Sequence, residues 1–407
     1  MTQKQPLRIG SACPMFILSC ERSGSTLLRY IVDTHPDIAS PGELNLGRLC
    51  AALYYSTYYS VAQVVASGEI ERSSRAIEKV RQVVSALMAE YTAAKGKRFW
   101  CDKSPANLQK LKMIDTVFPD AKYICLYRNC MDVVHSCLEW INNDEFMDGF
   151  APYVRKHSEN HTAAFVDNWT DKTRQLLAFE RANREKCFRI TYEAIVLDTV
   201  STLKAMFEFL GLPFDPRLPD SVFLVHHDLG GGDPRIRFSK KINKHSLGKG
   251  SKVSRTNIPA DLLEQMNAVL SELGYPTVGP DWDTAPSPYL PPETVTDQSE
   301  VGTTVEEIVA RHLPALLKSK REKINALCKI AVNGEGGGNW IINLAQQSIQ
   351  NDDGKVKPDC IVAVSARDFI DIMSGRLNPM AAVDVGKLHL TGDPVLAGRI
   401  GMLLFGT

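Results

Sequence analysis

Met15-Phe-Ile-Leu-Ser19 is a short apolar strand signal, followed at once by a Ser/Gly turn and by Leu27, Leu28, Ile31 and Val32 at helical spacing. A strand without polar alternation has to be covered on both faces, the condition of an inner strand in a parallel sheet. The unit recurs. Arg98-Phe-Trp-Cys101, Ala121-Lys-Tyr-Ile-Cys-Leu-Tyr127 and Cys187-Phe-Arg-Ile190 each read as a strand leading into a helix, the second of these, the third strand of the chain, leading into a helix over 129–142. Strands alternating with helices predict βαβ units and a mainly parallel α/β sheet. In such a sheet ligands bind beyond the carboxyl ends of the strands, so the chemistry is sought there.

Lysine plus arginine number 47 and aspartate plus glutamate 47, a formal charge of zero over 407 residues. That balance disfavours a generic nucleic-acid or anionic-membrane binder, which needs excess positive charge, but leaves room for a local anion pocket. The ten cysteines are scattered with no C-x-x-C pair, which argues against a zinc site or a disulfide scaffold and for reduced thiols. No apolar run reaches the roughly 18 residues of a membrane span, and Pro14 to Ser19 is too short for a signal-peptide core. A cytoplasmic protein is expected. From Asp281 to Glu307 there are seven acids, no lysine or arginine, and prolines at 286, 288, 291 and 292. Such a stretch cannot sustain helical hydrogen bonding and has little apolar surface to bury. Residues 281–303 are therefore read as a linker between a domain over 1–280 and a second over 304–407.

The strand ends deliver cations. After the first comes Cys20-Glu-Arg22-Ser23-Gly24-Ser25-Thr26-Leu27, a glycine turn opening a helix, whose free N–H groups and positive dipole end suit a phosphate. A nucleoside-triphosphate P-loop would carry G-K-[ST] here. This loop has no lysine, and the third strand ends in Tyr127-Arg128 rather than an acid that could hold magnesium, so a small-molecule kinase or NTPase is disfavoured. The second strand leads to Asp102-Lys103-Ser104-Pro105. Three unpaired cations, Arg22, Lys103 and Arg128, at one sheet edge are costly unless an anion answers them. They point to a polyanionic nucleotide handled without a metal.

These residues resemble the sulfotransferases that use 3′-phosphoadenosine-5′-phosphosulfate (PAPS). Arg22-Ser-Gly-Ser-Thr-Leu-Leu28 is similar to that family's 5′-phosphosulfate loop, and Tyr127-Arg128-Asn-Cys-Met-Asp-Val-Val-His-Ser136 to its 3′-phosphate segment. The resemblance implies a P-loop-like three-layer parallel sheet. It also implies cofactor binding by Arg22, Ser23, Gly24, Ser25, Thr26, Leu27, Arg128 and Ser136. Thr191-Tyr192-Glu193 resembles an element whose tyrosine lies near the nucleotide. Ile242 to Gly250, with Ser246, Gly248, Lys249 and Gly250, resembles a late basic glycine loop that closes over it. The resemblance spans roughly residues 12–276. It is nearest to the tyrosylprotein sulfotransferase branch and its bacterial relatives, where a Gly-Glu pair follows a His-Pro, as Gly42-Glu43 follows His35-Pro36 here. Only one glutamate follows Gly42 where the peptide-modifying enzymes carry two, and there is no secretory anchor, which points away from a protein-tyrosine substrate.

On that resemblance Glu43 is the general base of an in-line sulfuryl transfer, with Arg22 and Lys103 stabilising the charge that develops. His35 reads as structural, His226 and His227 as rival bases, and Cys20, Cys125 and Cys130 as buried fillers. No metal is called for. A scaffold whose sulfotransferase-like domain has lost activity is the alternative from another class.

The second region carries a capping-box pattern at Thr304-Val-Glu-Glu307 and strand signals at Ala326–Val332, Asn339–Leu344 and Ile361–Val364, with Gly334 to Gly338 suiting a hairpin and 366–374 a helix. Asp368 to Ala381, Val385 to Asp393 and an apolar last helix from Leu396 to Phe405 resemble the sterol carrier protein type-two family. The resemblance implies a smaller α+β domain that holds an apolar ligand, or serves as a docking or homodimer-forming element. Met373, Met380, Met402 and Phe405 suit a ligand pocket and ordinary core equally. The acceptor implied is a small or hydrophobic molecule, natural-product- or lipid-like, with a hydroxyl or amine.

Overall fold

In a computed structural model, the described residues are 13–141, 149–228, 239–284, 304–319, 324–374 and 379–392 except 385, with 230, 232, 233, 236, 377 and 396 besides. The first unit is built on a five-stranded sheet of β1 (Met15–Ser19), β2 (Ile38–Ala39), β3 (Phe99–Lys103), β4 (Lys122–Tyr127) and β5 (Cys187–Thr191). Their order is β2-β3-β1-β4-β5, and every pairing is parallel. β1 is buried along its whole length, as its unbroken apolar run requires. Phe16 on β1 packs against Trp100 of β3 at 5.5 Å and Tyr123 of β4 at 5.8 Å between ring centroids, pairs worth about 0.5–1.5 kcal/mol beyond area burial.

The sheet order locates the site. From β1 the chain goes to one side for β2 and β3 and to the other for β4 and β5, so the crevice lies beyond the carboxyl end of β1. Ile17 pairs with Lys103, and Ser19 with Leu126, so three strand ends finish close together. Helices α1 (Ser25–Thr34), α2 (Leu46–Tyr58), α3 (Glu69–Ala94), α4 (Cys130–Leu138) and α5 (His161–Ala182) follow from these and later loops. α3 buries Ala76, Val80, Val84, Met88 and Thr92, one stripe at four-residue spacing.

The strand boundaries agree with the sequence reading to within two residues, with two additions. β2 has two residues, too few for any periodicity to register. α4 begins after Asn129, whose Oδ1 accepts the N–H of Met131 at 2.9 Å. The helix ends at Leu138 and residues 139–141 form turns, so it is shorter than the helix expected over 129–142, whose last residue lies outside the described residues.

The second unit holds a separate sheet of β6 (Leu327–Asn333), β7 (Gly338–Asn343), β8 (Ser348–Asn351), β9 (Cys360–Ser365) and β10 (Leu388–Gly392), ordered β10-β9-β6-β7-β8. Among the described residues only β6 and β9 pair in parallel in this sheet. Cys328, Ile330 and Val332 of β6 and Cys360, Val362 and Val364 of β9 are buried in alternation, the pattern of a sheet covered on one face. The Gly334–Gly337 turn joins β6 and β7 as an antiparallel hairpin, with positive φ at Gly334 and Gly336. Thr304 Oγ1 accepts the Glu307 N–H at 3.2 Å, which is the cap foreseen. β8 was not foreseen because it is a polar edge strand. The linker beyond residue 284, Met402, Phe405 and the helix expected after Leu396 lie outside the described residues.

Candidate active site

The turn after β1 has alternating handedness. Arg22 (φ 60°) and Gly24 (φ 90°) both lie in the left-handed region, a backbone form that turns successive N–H groups inward as an anion nest. α1 starts at Ser25 with no side-chain cap and no acid in its first turn, so its dipole is unanswered from within. Ser23 is buried, and its Oγ has no hydrogen-bond partner among the described residues. Ser25, Thr26 and Leu27 are buried along the first helical turn.

Gly24 is required by its neighbour. A Cβ there would stand 2.4 Å from Cδ2 of Tyr192. The same ring carries the Arg128 guanidinium 4.3 Å from its centroid, a cation–π contact. Burial pushes the Tyr192 hydroxyl up from its ordinary value, and Arg128 opposes the shift. The neighbouring Glu193, also pushed up by burial, accepts the Asn129 N–H at 3.0 Å and the Tyr275 hydroxyl at 2.7 Å.

Arg128 is 6% exposed. Its Nη1 donates to the Arg22 carbonyl at 3.0 Å and its Nη2 to the Ser246 carbonyl at 2.6 Å. Among the described residues its Nε has no hydrogen-bond partner and no carboxylate forms an ion pair with it, although the charge of Arg128 acts on the buried Glu193 carboxyl. A buried guanidinium without a direct ion-pair partner is expensive. Arg22 Nε donates to Ser136 Oγ at 3.2 Å. The two side chains that the resemblance assigns to opposite ends of the nucleotide therefore meet directly.

The late glycine loop is tied to the start of α4. Asp132, 2% exposed, accepts the N–H of Gly248 at 2.9 Å and of Gly250 at 2.7 Å. Gly250 lies so close that a Cβ would stand 2.4 Å from the Met131 carbonyl carbon. Lys249 between them is half-buried. Asp132 was not singled out from sequence, because a carboxylate serving backbone N–H groups has no side-chain pattern to betray it.

Lys103 corrects one expectation. It is not an unpaired cation: its buried ammonium donates to Glu43 Oε1. Burial lowers the proton affinity of Lys103, and Glu43 opposes the effect. A backbone approaches the pair at Gly232 (φ 129°), where a Cβ would stand 2.7 Å from Thr26 Oγ1 and 3.0 Å from Lys103 Nζ. Of the rival bases, His227 is buried, with Nδ1 2.6 Å from Asp33 Oδ2 and Nε2 2.8 Å from the Val222 carbonyl. Both nitrogens are engaged, while His226 is exposed. His35 lies between the Asp37 N–H and the Pro213 carbonyl and stacks on Phe207, a structural role. Cys20, Cys125 and Cys130 are all buried.

Residues 14–216 match the sulfotransferase family, and residues 305–405 match the SCP-2 sterol transfer family. The chain is a sulfotransferase-family domain joined to an SCP-2 family domain. Protein-tyrosine sulfotransferase A of Caenorhabditis elegans is 24% identical to it over 299 residues, 70% of this chain and 72% of that one. Peroxisomal multifunctional enzyme A of Dictyostelium discoideum is 33% identical over 112 residues, 27% of this chain and 24% of that one. A solved sulfotransferase domain from the curacin biosynthetic pathway is 22% identical, with 66% of this chain and 99% of that one covered at a TM-score of 0.48. The parallel five-stranded sheet is thus the sulfotransferase domain, and the mixed sheet the sterol-carrier-like one. Among the described residues no helix is long and apolar enough to cross a membrane.

Proposed function

We propose that this sulfotransferase uses PAPS as donor, with the SCP-2 domain fitting it to a small or hydrophobic acceptor that carries a hydroxyl or amine. The observation that carries the reading is Arg128: a buried guanidinium that, among the described residues, has an unpartnered Nε and no ion-paired carboxylate, beside a nest whose buried Ser23 Oγ is also unpartnered among those residues. Phosphate oxygens would satisfy both deficits.

When bound, PAPS would supply the sulfuryl group. Arg128, Ser136, Tyr192, Ser246, Gly248, Lys249 and Gly250 would hold the 3′-phosphate end, Gly248 and Gly250 through the shape of a loop whose N–H groups Asp132 already takes. Arg22 and the Ser23–Leu27 turn would hold the 5′ end. Glu43 is the proton acceptor for the attacking group. Lys103 holds its carboxylate in place, and general-base help of this kind contributes about 10²–10⁴-fold. Lys103 and Arg22 stabilise the charge that grows during transfer; removing one preorganised donor typically costs about 3–4 kcal/mol.

Transfer of labelled sulfate from PAPS to a panel of alcohols, phenols and amines tests the reading. Transfer to at least one acceptor, lost about 10²-fold or more in Glu43→Gln, is expected. Nucleotide binding without transfer to any acceptor class would favour an inactive lipid-binding scaffold.

A further inference from the structure

We infer that Asp102, Ser104 and Asn107 are positioning residues for Glu43, forming a cradle that fixes the backbone of residues 44–47. The inference rests on Glu43 being the base.

The first N–H groups of a helix have no partner within it. α2 lacks the usual remedy, because its N-cap Asn45 is left-handed (φ 53°) and makes no side-chain cap. The partners come instead from the end of β3 and the turn after it. Leu44 N–H donates to Asp102 Oδ1 at 3.4 Å, Asn45 N–H to Ser104 Oγ at 2.9 Å, Leu46 N–H to Asp102 Oδ2 at 3.4 Å, and Gly47 N–H to Asn107 Oδ1 at 2.9 Å. The acceptors are bound to one another: Ser104 Oγ donates to Asp102 Oδ1 at 2.9 Å and Asn107 Nδ2 to Asp102 Oδ2 at 2.7 Å. All three side chains are fully buried. A Cβ at Gly47 would stand 2.8 Å from Lys110 Cβ, so the helix start also fits closely by shape.

Lys103 lies between Asp102 and Ser104 in the chain, and neighbouring strand residues point opposite ways. One strand end therefore holds the carboxylate of Glu43 through Lys103 and the backbone that follows it through Asp102 and Ser104. The segment is also secured upstream. Ser40 accepts at its carbonyl from Arg29 Nη1 (3.0 Å), donates its N–H to Asp33 (2.9 Å) and its hydroxyl to the Cys101 carbonyl (2.8 Å). Glu43 thus sits on a short bridge anchored at both ends, and its carboxylate has little freedom to leave the mouth of β3.

The test makes Ser104→Ala and Asn107→Ala, each in the wild-type chain and in Glu43→Gln. It measures amide exchange at residues 44–47, affinity for adenosine 3′,5′-bisphosphate, and sulfate turnover. Exchange at 44–47 is expected to rise at least about tenfold, turnover to fall at least about tenfold, and bisphosphate affinity to stay within about twofold. In the Glu43→Gln background the same substitutions should change the residual rate by less than about twofold, because the group they position is gone. Ser104→Ala removes a single hydroxyl and decides alone if Asn107→Ala does not fold. Faster exchange with undiminished turnover, or equal losses in both backgrounds, would overturn the positioning role while leaving Glu43 as base. Full turnover in Glu43→Gln alone would overturn the assignment of the base and this inference with it.

Discussion

Lys103 at the end of β3 donates its buried ammonium to the carboxylate of Glu43, sixty residues earlier in the chain. The pair joins two strand-end segments that the sheet order brings to one crevice. It also sets a pH dependence. Burial holds Lys103 below the ordinary lysine value, so its charged form is disfavoured in the folded protein. The cost to folding is fully present at low pH and is relieved as pH rises from the folded-state value towards about 10.4. Activity needs the charge and moves the other way.

The alkaline fall in turnover should therefore begin below about pH 10.4. In Lys103→Arg, whose guanidinium stays charged, the residual activity should hold to higher pH. An alkaline limb at the same pH in both proteins would remove Lys103 as the group responsible.

Arg128 uses two prongs of its fork on backbone carbonyls and its plane on Tyr192, which a lysine cannot reproduce. Arg128→Lys should weaken binding of adenosine 3′,5′-bisphosphate about 10–100-fold, the equivalent of about one charge-assisted bond. The Michaelis constant for PAPS should rise more than kcat falls. Calorimetric titration with steady-state kinetics checks this; a fall confined to kcat would contradict it.

Asp132→Asn keeps the shape but only one acceptor oxygen, so either Gly248 or Gly250 loses its partner. An unsatisfied buried group costs about 1–3 kcal/mol. Bisphosphate affinity should drop about tenfold or more while the α1 amides keep their exchange protection. Unaltered affinity would mean that the late loop does not contribute to binding.

Gly24 and Gly96 both have positive φ, 90° and 66°, but a Cβ at Gly96 would meet nothing within 4 Å. Gly96→Ala should cost only the backbone strain, about 1–2 kcal/mol, with nucleotide binding intact. Gly24→Ala adds the collision with Tyr192 and should lower both the melting temperature and bisphosphate affinity. Paired thermal melts and titrations read the difference; equal effects would deny Tyr192 its place against the loop.

The inner strands and the glycine turn after β1 were legible because apolar runs and a glycine turn are local signals. β2 and β8 were not, one having two residues and the other facing solvent. The cations were legible by type, but their partners were not: nothing local joins Glu43 to Lys103, or Asp132 to Gly248. Asp102, Ser104 and Asn107 share one short stretch, yet the backbone they serve lies about sixty residues upstream. Side chains that satisfy main-chain N–H groups leave no pattern at the positions they serve.

The most direct test is titration of the full chain with adenosine 3′,5′-bisphosphate and, separately, ATP, each with and without magnesium. Arg128 and the turn from Arg22 to Thr26 should bind the bisphosphate equally well in the presence and absence of the metal, and ATP far more weakly in both. No binding of the bisphosphate, or binding of ATP that depends on magnesium, would contradict the account.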